Sequence, residues 1–152
     1  MRSGDGGGSG VIDSLLEVQD SLKAYEEIIA VYLFGSHAQR KDNNLSDVDL
    51  GLLLREDVSA VRQHELRLEL ISFFSQVLSE RRVDVVVLNN APYSLAYRAI
   101  SDGQLIYERR SDLRDRIAFE SNTYLRYFDF QPVERLIGEA VLKRIKEGKF
   151  GV

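Results

Sequence analysis

Residues 31–54 read VYLFGSHAQRKDNNLSDVDLGLLL, and the alternation of apolar and polar segments in this stretch decides the fold. An apolar run ends at Gly35 and Ser36, a polar segment follows, and Asp47 and Asp49 begin a second apolar run. Short apolar runs bounded by turn residues are typical of buried strands, so the stretch predicts two strands. A tight turn is thereby expected beside two carboxylates.

Three aspartates are candidate metal ligands. Asp47 and Asp49 lie two residues apart, so on a strand both side chains point to the same face. Asp84 lies inside the apolar run VDVVVL, where a carboxylate is costly to bury unless a cation compensates its charge. If the strand of Asp84 pairs with the strand of Asp49, we expect the three carboxylates to converge on Mg²⁺, which prefers oxygen ligands. Gly51 is expected to leave room above this face.

Gly35 and Ser36 form the candidate phosphate site. Glycine lets the backbone come close to a ligand, and a helix that begins just after it directs free N–H groups at an anion. The hydroxyl of Ser36 can donate a hydrogen bond to a phosphate oxygen. Simpler interpretations of these residues stay open at this point. Ser36 could serve only as the N-cap of a helix. Asp47 and Asp49 could lie on a solvated edge strand, and Asp84 could point to water at a strand end.

The whole chain predicts a single domain of the α/β (α+β) class, with a small sheet, helices packed on it and a helical C-terminal third. Residues 1–10, MRSGDGGGSG, are interpreted as a flexible leader or an expression remnant, so the predicted domain covers residues 11–150. Asp57 or Ser59 is expected to cap a long helix. The predicted strands cover residues 28–34, 47–54, 83–88 and 104–107. The predicted helices cover residues 11–25, 59–78, 111–128 and 132–146. A short helix is also predicted to end near Lys41, and a helix of about ten residues is predicted to run towards Ile100.

Composition and charge narrow the function classes. The chain has 152 residues, a net charge of −4 and no cysteine, which excludes disulfides, thiolate zinc sites and cysteine nucleophiles. Its two histidines are too few for a histidine-built metal site. The N-terminus lacks the apolar core of a signal peptide, and no apolar run approaches the roughly 20 residues that span a bilayer. A cytoplasmic protein is expected, with no membrane contact and no direct nucleic-acid binding.

The decisive stretch resembles a known signature. Gly35-Ser36, ten further residues and Asp47-x-Asp49 resemble the G-S-x10-D-x-D motif of the DNA polymerase β-like nucleotidyltransferase superfamily, with Asp84 at the place of its third carboxylate. The compact size resembles the minimal nucleotidyltransferases, or MNT proteins, which act as antitoxins beside HEPN-domain toxins. The stretch LNNAPYSLAYRAISDGQLIYERR and the C-terminal stretches FDFQPV and RIKEGKFG resemble the same group. The resemblance implies the polymerase β-like fold, a small mixed sheet flanked by helices.

The resemblance also implies a reaction. The three aspartates would hold two Mg²⁺ ions, and Gly35, Ser36 and Arg40 would contact the phosphates of ATP. Asp84 would also help to deprotonate the attacking hydroxyl. AMP would pass to a tyrosine of a HEPN ribonuclease toxin, which is thereby silenced, and a hetero-oligomer with that toxin is implied.

One departure and two alternatives accompany this resemblance. Many relatives read G-S-x-A-R-G, whereas this chain reads GSHAQRK, with Gln39 at the basic position and Arg40 at the glycine position. His37 falls on a variable position. The first alternative is a transferase acting on a small-molecule hydroxyl, although such enzymes usually need a further substrate domain. The second is an antitoxin that only covers its toxin, for which three compensated carboxylates would be unnecessary.

Overall fold

A computed structural model describes residues 7–35, 47–79 and 81–147 of the chain. Within these residues, four strands form one sheet: β1 (Ile28–Phe34), β2 (Val48–Leu54), β3 (Val83–Val87) and β4 (Gln104–Glu108). The strand order is β3-β2-β1-β4. β1 pairs antiparallel with β2 and β4, and β2 pairs parallel with β3. The predicted α/β (α+β) class is confirmed.

Helices cover both faces of this sheet. In the described ranges they are α1 (Gly7–Glu17), α2 (Gln19–Leu22), α3 (Ala60–Val77), α4 (Tyr93–Ser101) and α5 (Leu113–Lys146). Residues of α1 and α3 pack on one face, and residues of α4 and α5 pack on the other, so the sheet is the middle layer. None of these described helices is both long and apolar enough to cross a membrane.

Because successive side chains of a strand point to opposite faces of the sheet, the strands contribute to two hydrophobic cores. Leu50 and Leu52 face α3, where Leu66, Leu70 and Phe74 are fully buried. The opposite face carries a second, smaller core, built from Ile29, Ala30, Tyr32, Phe34, Leu53, Leu88 and Ala99. The candidate carboxylates belong to strands that are therefore fixed on both sides.

Both ends of the long helix α3 agree with the prediction. Its N-cap is Ser59, whose hydroxyl oxygen accepts a hydrogen bond from the backbone N–H of Arg62 at 3.2 Å. A serine at this position stabilises a helix because it satisfies one of the free N–H groups of the first turn. Of the two predicted caps, Ser59 and Asp57, the structure uses the first.

The first helix differs from the prediction. α1 begins at Gly7, inside the predicted leader, and the single helix expected over residues 11–25 is divided at Val18. The N–H of Val18 bonds to the carbonyl of Leu15, three residues back, and this tighter turn separates α1 from α2. Leu22 of α2 still reaches the main core.

The C-terminal helix also differs from the prediction. The sequence predicts two helices over residues 111–128 and 132–146, but α5 is one helix of 34 residues, so that division is wrong. Pro132 lies inside α5, where its missing N–H removes one hydrogen bond. The backbone is helical on both sides of it, which outweighs this single loss.

The direction of α5 follows from two contacts. At its start, Arg55 pairs with Asp112 at 3.1 Å, next to the end of the sheet where Ile28 begins β1. Eight residues later, the hydroxyl of Tyr32 donates a hydrogen bond to Glu120 at 2.5 Å. The helix advances about 12 Å between these contacts, and β1 advances about 13 Å over the same span. α5 therefore runs alongside β1, toward the end of the strand that leads into the predicted turn.

Candidate functional site

The candidate site lies where three neighbouring strands are in register. Phe34 of β1 pairs with Asp49 of β2, and Asp49 pairs in turn with Asp84 of β3. Register partners on adjacent strands project to the same face, with strands about 4.8 Å apart. Asp49 and Asp84 are therefore side by side, on the face opposite the main core. The sequence makes the convergence of these carboxylates conditional on the pairing of their strands, and β2 and β3 do pair.

Gly35 closes this site at the end of β1. Its φ is +78°, a conformation that residues with a side chain adopt only at a cost. A Cβ added here would lie 2.6 Å from Oδ2 of Asp49, closer than real carbon atoms approach. The backbone of the turn thus packs directly on the Asp49 carboxylate. Only glycine permits both the conformation and the contact.

Asp47 lies one residue before β2, at the same end of the sheet. The N–H of Val48 donates to the carbonyl of Arg82 at 2.9 Å, which ties the start of β2 to the start of β3. The side chain of Asp47 is about half exposed, and its Oδ2 lies 3.8 Å from Nε of Arg82. An exposed ion pair at this distance is weak, so the Asp47 carboxylate can readily exchange partners.

Asp84 has a similar arginine partner from α3. Its Oδ1 lies 3.7 Å from Nη2 of Arg67, and the Asp84 side chain is more than half exposed. The same arginine donates from Nε to the carbonyl of Val85 at 2.7 Å, so its guanidinium is anchored on the edge strand β3. The Asp84 carboxylate lies at the surface rather than in the core, as the simpler interpretation of this residue expected.

The expected room above Gly51 is absent. A Cβ at Gly51 would lie 3.0 Å from the side chain of Leu88, so a leucine fills the space beside this glycine. The prediction that Gly51 opens space for a ligand is therefore wrong. Glycine is needed there because Leu88 turns inward after β3 and packs against β2.

The remaining predicted contacts cannot be located. Ser36 and Arg40, together with His37 and Gln39, lie outside the described residues. The short helix predicted to end near Lys41 lies outside them as well.

The aspartates fit a divalent cation by type and by placement. Asp49 and Asp84 offer hard carboxylate oxygens on adjacent strands, and Asp47 is at the same end of the sheet. In the part of the chain that the structure describes, no group of three or more acidic or histidine side chains is already gathered as a metal site. The backbone of the strands brings the aspartates to one end of the sheet, but the side chains of Asp47 and Asp84 each form an ion pair with an arginine rather than converging on one point.

Sequence reasoning missed two features on the α5 side of the sheet. One is a cleft of about 550 Å³ at the end of the sheet opposite the aspartates, lined by Leu54, Arg55, Asp57, Asn89 and Phe119 among others. The other is a buried polar network. Burial, the hydrogen bond to Glu120 and the charge of that carboxylate raise the pKa of Tyr32 well above its usual range. The partners are 88 residues apart, so no local pattern indicates them.

An aromatic cluster joins α4 to α5. The rings of Tyr97 and Tyr127 stack with centroids 3.8 Å apart, and Tyr124 meets Tyr97 edge-on at 5.5 Å. Phe128 completes the cluster with an edge-on contact to Tyr97 at 5.9 Å. These contacts hold the middle of α5 against the domain.

Comparison with known proteins identifies the fold. Residues 17–112 match the family model described as "Polymerase beta, Nucleotidyltransferase". A search of curated proteins finds no match.

Solved structures share the fold at low sequence identity. A chain of a toxin–antitoxin complex with AMP-PNP is 23% identical, with a TM-score of 0.63, covering 88% of this chain and 97% of its own. A chain of the MntA–HepT toxin–antitoxin complex is 21% identical, with a TM-score of 0.61, covering 85% and 97%. A third, from a tri-AMPylated Shewanella oneidensis HEPN toxin in complex with MNT antitoxin, is 19% identical, with a TM-score of 0.61, covering 90% and 99%.

Proposed function

The chain belongs to the polymerase beta nucleotidyltransferase family, and from this premise we propose that it is an antitoxin that transfers AMP from ATP to a tyrosine of a cognate HEPN ribonuclease toxin. The transfer depends on Mg²⁺ and silences the toxin. It takes place in the cytoplasm, within a hetero-oligomer of the two proteins.

One observation carries this proposal: the Gly35 turn packs on the carboxylate of Asp49, and Asp84 lies next to Asp49 on the adjacent strand. A pure binding protein has no need for a glycine with φ +78° placed against an acid, whereas a nucleotidyltransferase needs a phosphate and a cation to meet. Ser36, which follows the glycine, and Arg40 would add phosphate contacts.

Asp47, Asp49 and Asp84 would hold Mg²⁺. When bound, the cation would neutralise charge on the triphosphate and favour departure of pyrophosphate. The weak contacts of Asp47 with Arg82 and of Asp84 with Arg67 can be exchanged for such a cation at small cost.

The transfer of AMP forms one P–O bond and breaks another. The tyrosine oxygen attacks the α-phosphorus of ATP and forms a new P–O bond, while the bond from that phosphorus to the bridging oxygen of the β-phosphate breaks. AMP stays on the tyrosine, pyrophosphate leaves, and the phenolic proton passes to Asp84, whose carboxylate is exposed at the site. Positioning and electrostatics supply most of the catalysis in such phosphoryl transfers, so few further side chains are required.

The choice of acceptor is supported by the structural neighbours. Their descriptions name toxin–antitoxin complexes, AMP-PNP in one of them and an AMPylated HEPN toxin in another. This chain covers nearly the whole length of each of those chains. A small-molecule hydroxyl is the less favoured acceptor, because the neighbour that carries transferred AMP is a complex with a protein toxin.

The test is a labelling reaction with ATP that carries the label on its α-phosphate. The purified chain, Mg²⁺ and the HEPN protein encoded beside it are expected to give a labelled toxin with a modified tyrosine. Asp49→Asn and Asp84→Asn are expected to reduce the rate by about 10²-fold or more, because each removes charge at the proposed cation site. Asp57→Asn, in the cleft at the opposite end of the sheet, is the matched control and is expected to label normally.

Two results would contradict the proposal. Toxin that stays unlabelled but is still neutralised by the Asp49→Asn variant would show that covering the toxin suffices. Label that appears on a small-molecule hydroxyl and never on the toxin would assign the chain to the other class of transferase.

A further inference from the structure

Asp84 meets an arginine that comes from the other face of the sheet. Arg67 belongs to α3, which packs on the main core, whereas Asp84 points to the opposite face. Within the described sheet β3 is an edge strand, with β2 on one side only. A side chain cannot pass between paired strands about 4.8 Å apart, so Arg67 reaches Asp84 around the open edge of β3. Its guanidinium therefore lies on the side of Asp84 that faces away from Asp49.

Two contacts of different strength hold the Arg67 side chain. Its Nε donates a hydrogen bond to the carbonyl of Val85 at 2.7 Å. Its Nη2 lies 3.7 Å from Oδ1 of Asp84, which is beyond hydrogen-bond distance, so this second contact acts through charge. Because the anchor on Val85 does not involve Asp84, the positive charge stays beside the site when the Asp84 carboxylate turns to another partner.

Arg82 differs from Arg67 in this respect. Its Nε lies 3.8 Å from Oδ2 of Asp47, a similar distance to a candidate ligand. The side chain of Arg82 is 85% exposed, however, against 39% for Arg67. A long side chain in water moves freely, so Arg82 can turn away when Asp47 binds a cation. Arg67 is the arginine whose charge remains.

The charge of Arg67 acts differently on a bare cation and on a cation that carries a nucleotide. Mg²⁺ alone brings positive charge toward an anchored guanidinium, so Arg67 opposes its binding. Mg²⁺ together with a nucleoside triphosphate has a net negative charge, because the phosphates carry more charge than the cation. Arg67 attracts that complex. One residue thus weakens the binding of one species and strengthens the binding of the other.

We propose that Arg67 makes the site selective for Mg²⁺ that arrives with its nucleotide over Mg²⁺ alone. This rests on the proposed function, which assigns both the cation and the nucleotide to the Asp49 site. Arg67 is a positioning residue, since its charge draws the Asp84 carboxylate toward the open edge and away from Asp49. The carboxylates therefore gather around the cation when the substrate is present.

Three variants test the proposal. Arg67→Gln removes the charge, and Arg67→Lys keeps it. Arg114→Gln is the matched control, because it removes the same charge from an exposed residue in the first turn of α5, at the opposite end of the sheet. The affinity for Mg²⁺ alone is measured from the rise of Tm with Mg²⁺ concentration. The affinity for AMP-PNP at saturating Mg²⁺ is measured by calorimetry.

The two affinities of Arg67→Gln are expected to change in opposite directions. Mg²⁺ alone is expected to bind about two- to fivefold more tightly than to the wild type, and AMP-PNP with Mg²⁺ about two- to fivefold more weakly, the range for an exposed ion pair. Loss of a purely structural side chain would weaken both. Arg67→Lys and Arg114→Gln are expected to stay within about twofold of the wild type. Added salt is expected to shrink both differences, because exposed charges are screened.

Three results would overturn the proposal. Arg67→Gln could bind Mg²⁺ alone no more tightly than the wild type does. Its affinities for Mg²⁺ and for AMP-PNP could change in the same direction. Arg67→Lys could behave like Arg67→Gln, in which case the charge would not be the cause. The thermal unfolding curves of the same variants show that each one is folded.

This proposal and the proposed function fail in different ways. If Arg67→Gln changes the two affinities in opposite directions but the wild type labels no toxin, the role of Arg67 stands and the acceptor is wrong. If the wild type labels the toxin and Arg67→Gln leaves both affinities unchanged, the reaction stands and the role of Arg67 is wrong.

Discussion

Replacing Gly35 with alanine is expected to disturb the backbone of the turn and the Asp49 carboxylate in one step. The φ of +78° costs a residue with a side chain about 1–2 kcal/mol. The new Cβ would lie 2.6 Å from Oδ2 of Asp49, whereas ordinary contacts begin at 3.4 Å, so the oxygen must move by about 0.8 Å. A displacement of this size at a reacting centre costs about 10²-fold in rate.

Two measurements separate these effects. Thermal unfolding of Gly35→Ala is expected to show a Tm lower by about 2–8 °C, which is the backbone cost in a domain of this size. AMP transfer, measured where the variant is fully folded, is expected to fall by about 10²-fold. Gly10→Ala is the control, because Gly10 lies in α1 and a Cβ there meets nothing within 4 Å.

The reasoning would be refuted by a Gly35→Ala variant that unfolds at the lower temperature yet transfers AMP at the wild-type rate. The turn would then be strained by the substitution without the Asp49 carboxylate being displaced or needed. The reasoning would also be refuted if the loss of AMP transfer were fully explained by the fraction of Gly35→Ala that is unfolded.

Two further predictions concern stability. Asn89→Ala is expected to lower the free energy of unfolding by about 1–3 kcal/mol, because the Asn89 side chain forms hydrogen bonds with both the N–H and the carbonyl of buried Leu54. Urea titration measures this change, and an unchanged urea midpoint would contradict the prediction. Glu27 has a pKa lowered by its hydrogen bond to Arg62, so its contribution to stability is present above its ordinary pKa of 4.5 and is lost as pH falls through the lowered value. The stability difference between wild type and Glu27→Gln is therefore expected to be largest near pH 7 and to shrink below pH 4.5, and a difference that grew on acidification would show the wrong sign.

Much of the fold can be predicted because its signals are local. The run IIAVYLF is β-branched, aromatic and bounded by turn residues, and β1 covers the same residues that the sequence predicts. Asp57 and Ser59 are both predicted as possible caps because each precedes an amphipathic run, and the structure uses Ser59. The sequence places Asp49 and Asp84 on strands but makes their convergence conditional on the pairing of those strands, which the structure supplies.

The rest depends on contacts that no local pattern records. Leu88 fills the space beside Gly51, and Arg67 reaches Asp84 from another element. These pairings exist only after the sheet has formed. Pro132 is predicted to begin a second helix because proline fits a first helical position, but α5 continues through it, with helical segments on both sides. Propensity is a weak guide where the cost is a single hydrogen bond.

The contact of Arg67 with the carbonyl of Val85 has a consequence beyond the site. β3 is an edge strand of five residues, and an open edge with unpaired carbonyls can recruit a strand of another molecule. A guanidinium that occupies one of those carbonyls at 2.7 Å blunts this edge and adds charge where a foreign strand would dock. We therefore expect Arg67 to hinder the pairing of β3 with a strand of another molecule.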